Sequence, residues 1–424
     1  MLGESDGDLC QTNNYQFNSQ VLSYSMIKNP LSGLPQQQQF LLAMAFLMPF
    51  VFSVWVTLLN NFVIEKANFS GAEIGMLQSI REIPGFLAFT AIYVLLFLKE
   101  QRFAILSLGV LSFGVAITGF FPSVYGLYLT TIIMSIGFHY FETTQQSLTL
   151  QWLPQNDTAH FMGKSLAVKA FASLLAFSGI WLLMDQIGVS YESVYLASGV
   201  LGLLIVVWLY IKFPLFEQPH GQHKKIILRK NYWLYYLLTF LSGARRQIFM
   251  VFAGFMMVEK FGYSVGEISI LFGINYVFNL LFATRIGKWV GKVGERKALT
   301  LEYVGLILVF TGYAFVDSPY IAAGLYVIDH MFFALAIAIK TYFQKIADKK
   351  DIAATASVSF TINHIAAVII PALLGVLWLY SNAAVFLVGT AFALCSLICS
   401  LFIPDNPTQQ QVTRYFASPA VKSS

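Results

Sequence analysis

The chain has 424 residues, 57% hydrophobic and only 11% charged, with 26 Lys and Arg against 21 Asp and Glu for a formal charge of +5. A soluble globule cannot cover itself with about half the usual charge fraction, and so high an apolar content excludes disorder. A small basic excess without basic runs is no footprint for nucleic acid. With 39 Phe and 21 Tyr, the totals describe a polytopic membrane protein whose first partner is the lipid bilayer.

Residues 1–35 are polar, carry Glu4, Asp6 and Asp8, and lack the basic start and apolar core of a cleaved signal. A disordered cytoplasmic tail is expected there. A helix crosses a bilayer core with about 20 apolar residues. Stretches of that order fall at 40–64, 72–98, 102–121, 124–150, 160–184 and 191–213, then at 232–258, 265–287, 297–316, 318–343, 353–379 and 382–403. Turn chemistry marks the breaks, as at Phe121-Pro122-Ser123, Asp317-Ser318-Pro319 and Ser381-Asn382. The prediction is an all-α membrane protein of twelve transmembrane helices in two six-helix bundles, 36–213 and 232–404. A basic linker at 214–231, with Lys224, Lys225, Arg229 and Lys230, joins them, and a cytoplasmic tail at 405–424 follows. Helices are required because backbone groups in lipid must be satisfied within each segment. The alternating ten-residue strands of a barrel are not visible.

With the N-terminus in the cytoplasm, 17 of the 26 basic residues fall in cytoplasmic loops and tails, and two, Lys66 and Lys260, fall outside. The excess of Lys and Arg on the inner side then places both termini in the cytoplasm, and a bacterial inner membrane is expected. Cys10 lies in the polar tail, while Cys395 and Cys399 are four apart in an apolar helix; ordinary packing is expected, with no metal and no cofactor. The expected unit is a monomer.

The two halves repeat. Between 65 and 80, seven of sixteen positions are identical to those 194 residues later: Glu65/Glu259, Lys66/Lys260, Ser70/Ser264, Glu73/Glu267, Ile74/Ile268, Leu77/Leu271 and Ile80/Ile274. Average composition yields about one such match. Gly126-Leu127-Tyr128 recurs as Gly324-Leu325-Tyr326, and the same spacing of 198 pairs Thr143 with Thr341, Gln146 with Gln344 and Glu142 with Lys340. Six plus six spans in one orientation make a parallel repeat, and such duplications build transporters with the substrate between the halves.

Between spans 8 and 9 stands Gly287-Lys-Trp-Val-Gly291-Lys292-Val-Gly294-Glu-Arg296-Lys297. With the repeat, this loop makes the chain resemble the major facilitator superfamily across roughly residues 36–404, and it is similar to that family's glycine- and base-rich signature loop. Gly291 stands where the family usually carries an acidic residue. The resemblance implies that spans 1, 4, 7 and 10 line a central cavity.

Ionisable groups at mid-bilayer cost at least about 2.5 kcal/mol each, so each is a candidate. Ser135, His139, Glu142 and Gln146 share one face of span 4, and Asp329, Phe333, Ala336, Lys340 and Gln344 are expected to share one of span 10. Arg81 and Glu82 read as an ion pair locking helices. Glu302, near the membrane boundary, reads as a partner of the signature loop's basic residues. His364 is open between packing and function. Adjacent residues of a helix point about 100° apart; of Arg245 and Arg246, one is expected to face the cavity and the other to pair with an acid, Asp329 being nearest in depth. Lys169, Arg245, Arg246 and Lys340 outnumber Glu142 and Asp329, so an anionic substrate is favoured.

No clustered nucleophile, metal triad or Walker loop is visible, so an enzyme is not expected. The expected function is a secondary active transporter, driven by protons through alternating access. Substrate-binding residues are Arg245, Arg246, Lys169 and His139; proton-coupling residues are Asp329, Glu142 and His330. Glu142 and Lys340, matching positions in the two repeats, form the expected cytoplasmic gate. The alternative is export of amphipathic or drug-like compounds past Trp55, Phe138, Tyr140, Phe249 and Phe252.

Overall fold

The computed structural model describes residues 33–95, 97–153, 155–217, 228–348 and 352–414. Residues 1–32 of the expected N-terminal tail, 218–227 of the linker and 415–424 of the C-terminal tail lie outside these. The described residues are helical almost throughout and run as twelve successive helical segments. The first six are α1 (Gln36–Ala67), α2 (Gly71–Phe86, extended by Ala88–Thr90 and Ala91–Leu95), α3 (Glu100–Thr118), α4 (Val124–Trp152), α5 (Gln155–Ile180, extended by Trp181–Gln186) and α6 (Tyr191–Lys212). The second six are α7 (Trp233–Gln247, continued by Ile248–Ala253 and Gly254–Glu259), α8 (Val265–Val293), α9 (Glu295–Phe315), α10 (Pro319–Phe333, Ala334–Ala336 and Ile337–Ile346), α11 (Ile352–Trp378) and α12 (Asn382–Leu401).

Ten of these helices are long and apolar enough to cross a membrane. The two that fall short are interrupted. In α2 the helix gives way after Pro84, Gly85 and Phe86 to a 3-10 turn, and in α7 a π-helical turn at Ile248–Ala253 divides the span. Odd-numbered helices begin on the face that carries the termini; even-numbered ones begin on the opposite, distal face. Each even-numbered helix is preceded by serine: Ser70, Ser123, Ser190, Ser264, Ser318 and Ser381. All but Ser318 accept a backbone hydrogen bond from the first turn, and Pro319 at the first helical position serves α10 instead. The repeat identities Ser70/Glu73 and Ser264/Glu267 are two matching capping boxes.

Within each half the helices pack as matching pairs, α3 on α4 and α6, and α9 on α12 and α10. Between halves, α2 lies along α11 and α5 along α8, the two contacts that a two-fold relation exchanges. These contacts gather on the distal side. Asn61 Nδ2 donates to the Tyr263 carbonyl (2.7 Å), Ser264 Oγ reaches Asp185 Oδ1 (3.4 Å), and Phe177 packs on Phe272 and Tyr276. Where α2 crosses α11, a methyl group on Gly375 would lie 2.6 Å from the Gly71 carbonyl and 3.2 Å from the Gly75 Cα, so the crossing is backbone against backbone.

The signature segment is more helical than its glycines suggest. Gly287, Gly291 and Lys292 are all inside α8, Arg296 and Lys297 are inside α9, and the turn is the single residue Gly294, at φ +89°. Only glycine holds that conformation without strain. The acid missing at Gly291 is supplied elsewhere: Arg296 pairs with Asp405 of the C-terminal segment, and Glu295 with Lys345 of α10 at 2.7 Å. Residues following α12 fold back, with Val412 buried and its carbonyl accepting from the Tyr342 hydroxyl (2.7 Å).

Candidate functional site

Three groups of ionisable side chains lie at membrane depth. The first is inside the C-terminal bundle. Arg245 of α7, Glu302 of α9 and Asp329 of α10 are all 0% exposed. Arg245 Nη2 stands 3.5 Å from Glu302 Oε1, and its guanidinium lies over the Tyr303 ring, 4.4 Å from the centroid. Both Asp329 oxygens are buried without a hydrogen-bond partner among the described residues, within electrostatic reach of Arg245 and Glu302. One guanidinium balances one carboxylate. The second carboxyl has no cation of its own among the described residues.

The second group spans both bundles. Glu82 and Arg81 of α2 pair directly, and Arg81 Nε donates to Gln78 Oε1 (2.7 Å). His364 Nδ1, from α11 in the other half, lies 3.0 Å from Glu82 Oε2, and His139 Nε2 of α4 lies 4.0 Å from the same oxygen. The two imidazoles meet edge to face at 5.1 Å. Gly85 makes room for them: a methyl there would fall 2.5 Å from His364 and 2.7 Å from His139.

The third group faces open space on the side of the termini. Arg246 is exposed, Glu142 and Lys169 half-exposed, and Lys340 exposed. Glu142 lies within electrostatic reach of Lys169, Arg246 and His364. His330, half-exposed beside Arg246, shares a 2.7 Å hydrogen bond with Asn279.

Several expected positions change accordingly. Arg245 and Arg246 do diverge, but Arg245 is enclosed by protein and meets Glu302 rather than lying in the cavity. His139, 2% exposed, is likewise enclosed, with Glu82 and Gly85 of α2 and the His364 ring of α11 against it. Glu302 serves Arg245 and not the signature segment, whose bases have Asp405 and are one helical end away. Asp329 and Lys340 do not share a face. The 3-10 turn Ala334–Ala336 adds about 20° per residue, leaving them about 80° apart instead of about 20°. No ion pair joins Glu142 and Lys340 among the described residues in this conformation. Sequence reasoning undervalued Glu82, Glu302 and His364; the only signal was that each is ionisable at membrane depth.

The sequence profile of the Major Facilitator Superfamily matches residues 235–422. An uncharacterised MFS-type transporter of Methanocaldococcus jannaschii is 24% identical over 228 residues, 50% of this chain and 56% of that protein, so the match spans little more than half of the relative's length. Solved structures share the fold across nearly the whole chain. The nucleoside transporter NupG superposes with a TM-score of 0.67 at 16% identity, covering 86% of this chain and 98% of that one. A POT family transporter in complex with 5-aminolevulinic acid gives 0.70 at 14% identity, covering 88% and 96%. This chain is thus similar to the major facilitator superfamily, in sequence over its C-terminal half and in fold across nearly its whole length. Its long apolar helices are those of an integral, multi-pass membrane protein. A bacterial homologue of the human lysosomal transporter Spinster, in an inward-facing, unoccupied conformation, gives a TM-score of 0.66 at 14% identity, covering 86% and 96%.

Proposed function

We propose that this protein is a major facilitator superfamily transporter, a secondary active one that moves a small anionic organic solute by alternating access, driven by protons. One observation carries the reading. The bundles meet distally, and on the side of the termini Glu142 of one bundle lies within electrostatic reach of Lys169 and of Arg246 across from it, with Lys340 exposed. Cations in that position favour an anion, and Arg246, not Arg245, is the guanidinium free to grip it bidentately. The carboxyl surplus of Glu302 and Asp329 over Arg245 supplies the proton site, with Glu142 and His330 nearer the cavity. The basic bias toward the face of the termini supports an inner-membrane protein with both ends in the cytoplasm. NupG is titled a nucleoside transporter and the POT structure holds a carboxylate-bearing ligand; small polar solutes suit the same cavity. Amphipathic export loses support, since Trp55, Phe249 and Phe252 are packed into the core and Tyr140 is tied to Thr90 at 2.6 Å.

Uptake of labelled carboxylates and phosphate esters into proteoliposomes under an imposed pH gradient tests the reading. Arg246→Lys should weaken binding about tenfold with the fold intact, because charge remains and the fork is lost. Asp329→Asn should abolish pH-driven accumulation yet spare counterflow exchange. Normal binding in the first variant rules out the anchor, and normal accumulation in the second rules out the proton site.

A further inference from the structure

The group that joins the two bundles has no role in the account above. Along α2, Glu82 is twelve residues from the Ser70 cap, about 18 Å from the distal end; along α11, His364 is fourteen from Trp378, about 21 Å. Both depths are near the middle of a core about 30 Å thick. The Glu82–His364 hydrogen bond therefore sits at mid-depth, at the inner part of the contact between bundles. Opening the distal face must part α2 from α11, and so must break it.

The charges there are unevenly divided. Arg81 and Glu82 neutralise each other, leaving His139 and His364 around one carboxylate oxygen at 4.0 and 3.0 Å. A further proton on the His364 ring turns its hydrogen bond to Glu82 into an ion pair that crosses the bundles, and His139, in the same bundle as Glu82, shares the carboxylate oxygen. A second is opposed, because the rings are 5.1 Å apart. The group is thus built for a single proton. Its surroundings are Arg81 and Gln78 on α2, Ser135, His139 and Glu142 on α4, and His364 on α11. Glu142 links it to Lys169 on α5 and Arg246 on α7.

We infer that Glu82, His139 and His364 form a second proton-binding site, one that holds the distal face closed when protonated and adds a positive charge beside the anion cavity. It rests on the alternating-access reading. Proton and anionic solute then favour each other, since each lowers the charge imbalance the other creates. The site differs from Asp329 in kind: the Asp329 group lies within one bundle, and this one is made and broken by the motion itself.

The test needs no solute. Spin labels at Phe121→Cys and Tyr320→Cys, both exposed on the distal face of opposite bundles, are placed in a chain with Cys10, Cys395 and Cys399 changed to Ser. Inter-label distances are read in lipid nanodiscs from about pH 5 to 8, where histidine titrates. The ratio of short to long distances should fall about tenfold as pH rises, the difference between a charged and a neutral hydrogen bond. His364→Gln and Glu82→Gln should flatten the titration. An invariant ratio in the parent overturns the proposal whatever the variants do. So does a titration that persists in either glutamine variant. Because no solute is present, failure here leaves the transport reading standing, and absence of uptake in liposomes leaves this result readable.

Discussion

The Arg245–Glu302–Asp329 group and the Arg81–Glu82–His139–His364 group are both buried, both ionic and both near mid-membrane. They differ in what they connect. The first joins three helices of one bundle, so under alternating access it would travel as a unit and its cost would be met once, on folding. The second joins helices of opposite bundles, and under the same proposal its contacts would enter a conformational equilibrium. Buried charge would then have two separate readouts, unfolding in one place and population in the other.

The largest effect should come from breaking the first group. Arg245→Ala strands two carboxyls in the interior and should cost about 3–5 kcal/mol of stability, read as the shift in thermal unfolding of the detergent-solubilised protein. Arg246→Ala, one residue on and exposed, should stay within about 0.5 kcal/mol. Equal melting of the two would erase the distinction. Next comes the crossing of α2 and α11. Gly375→Val forces backbone apart at the Gly71 carbonyl, and overpacking of this kind costs about 1–3 kcal/mol. Because the contact lies between bundles, the cost should appear as longer distal distances between spin labels rather than as a lower melting temperature.

Helix caps sharpen the within-bundle side. Ser264→Ala removes half a capping box and should cost about 1 kcal/mol in chemical unfolding, whereas Ser318→Ala, where no side-chain cap is made, should cost a few tenths at most. The smallest effect concerns Glu142 and Lys340. They are matching repeat positions on opposite walls of the open cavity, and a pair formed when that side closes is worth about 0.2–1 kcal/mol at exposed sites. Neutralising either should shift cysteine accessibility at the cavity mouth toward the open state, and the double swap Glu142→Lys with Lys340→Glu should restore it. A swap no better than the single variants rules out the gate.

Much of the fold was legible because it rests on local rules. Twenty-residue apolar stretches, serine caps and a duplicated Ser-x-x-Glu each act within one helix. Divergence of Arg245 from Arg246 followed from helical pitch alone. What stayed hidden depends on contacts far apart in sequence: His364 and Glu82 are 282 residues apart, and nothing local marks them as neighbours. Glu302 was assigned by depth to the nearby basic segment, but α9 turns it inward onto α7. Asp329 and Lys340 were placed on one face by assuming an uninterrupted helix, and a three-residue change of pitch in α10 undoes that. The breaks in α2, α7 and α10 all lie near the buried charges, where tertiary packing overrides local preference.

The glycine crossing of α2 and α11 has a consequence for speed. Side chains that interdigitate must leave their rotamer wells and dilate the packing before two helices separate, and that passage is a barrier even when the end states are equal in energy. Gly71, Gly75 and Gly375 have no rotamers to unlock and lose no side-chain entropy on contact. At Gly75 and Gly375 backbone rests on backbone, and the side chain that must move there is Trp378, which covers Gly71. The tempo of an alternating-access cycle would then rest on that one side chain and on the polar groups at mid-depth.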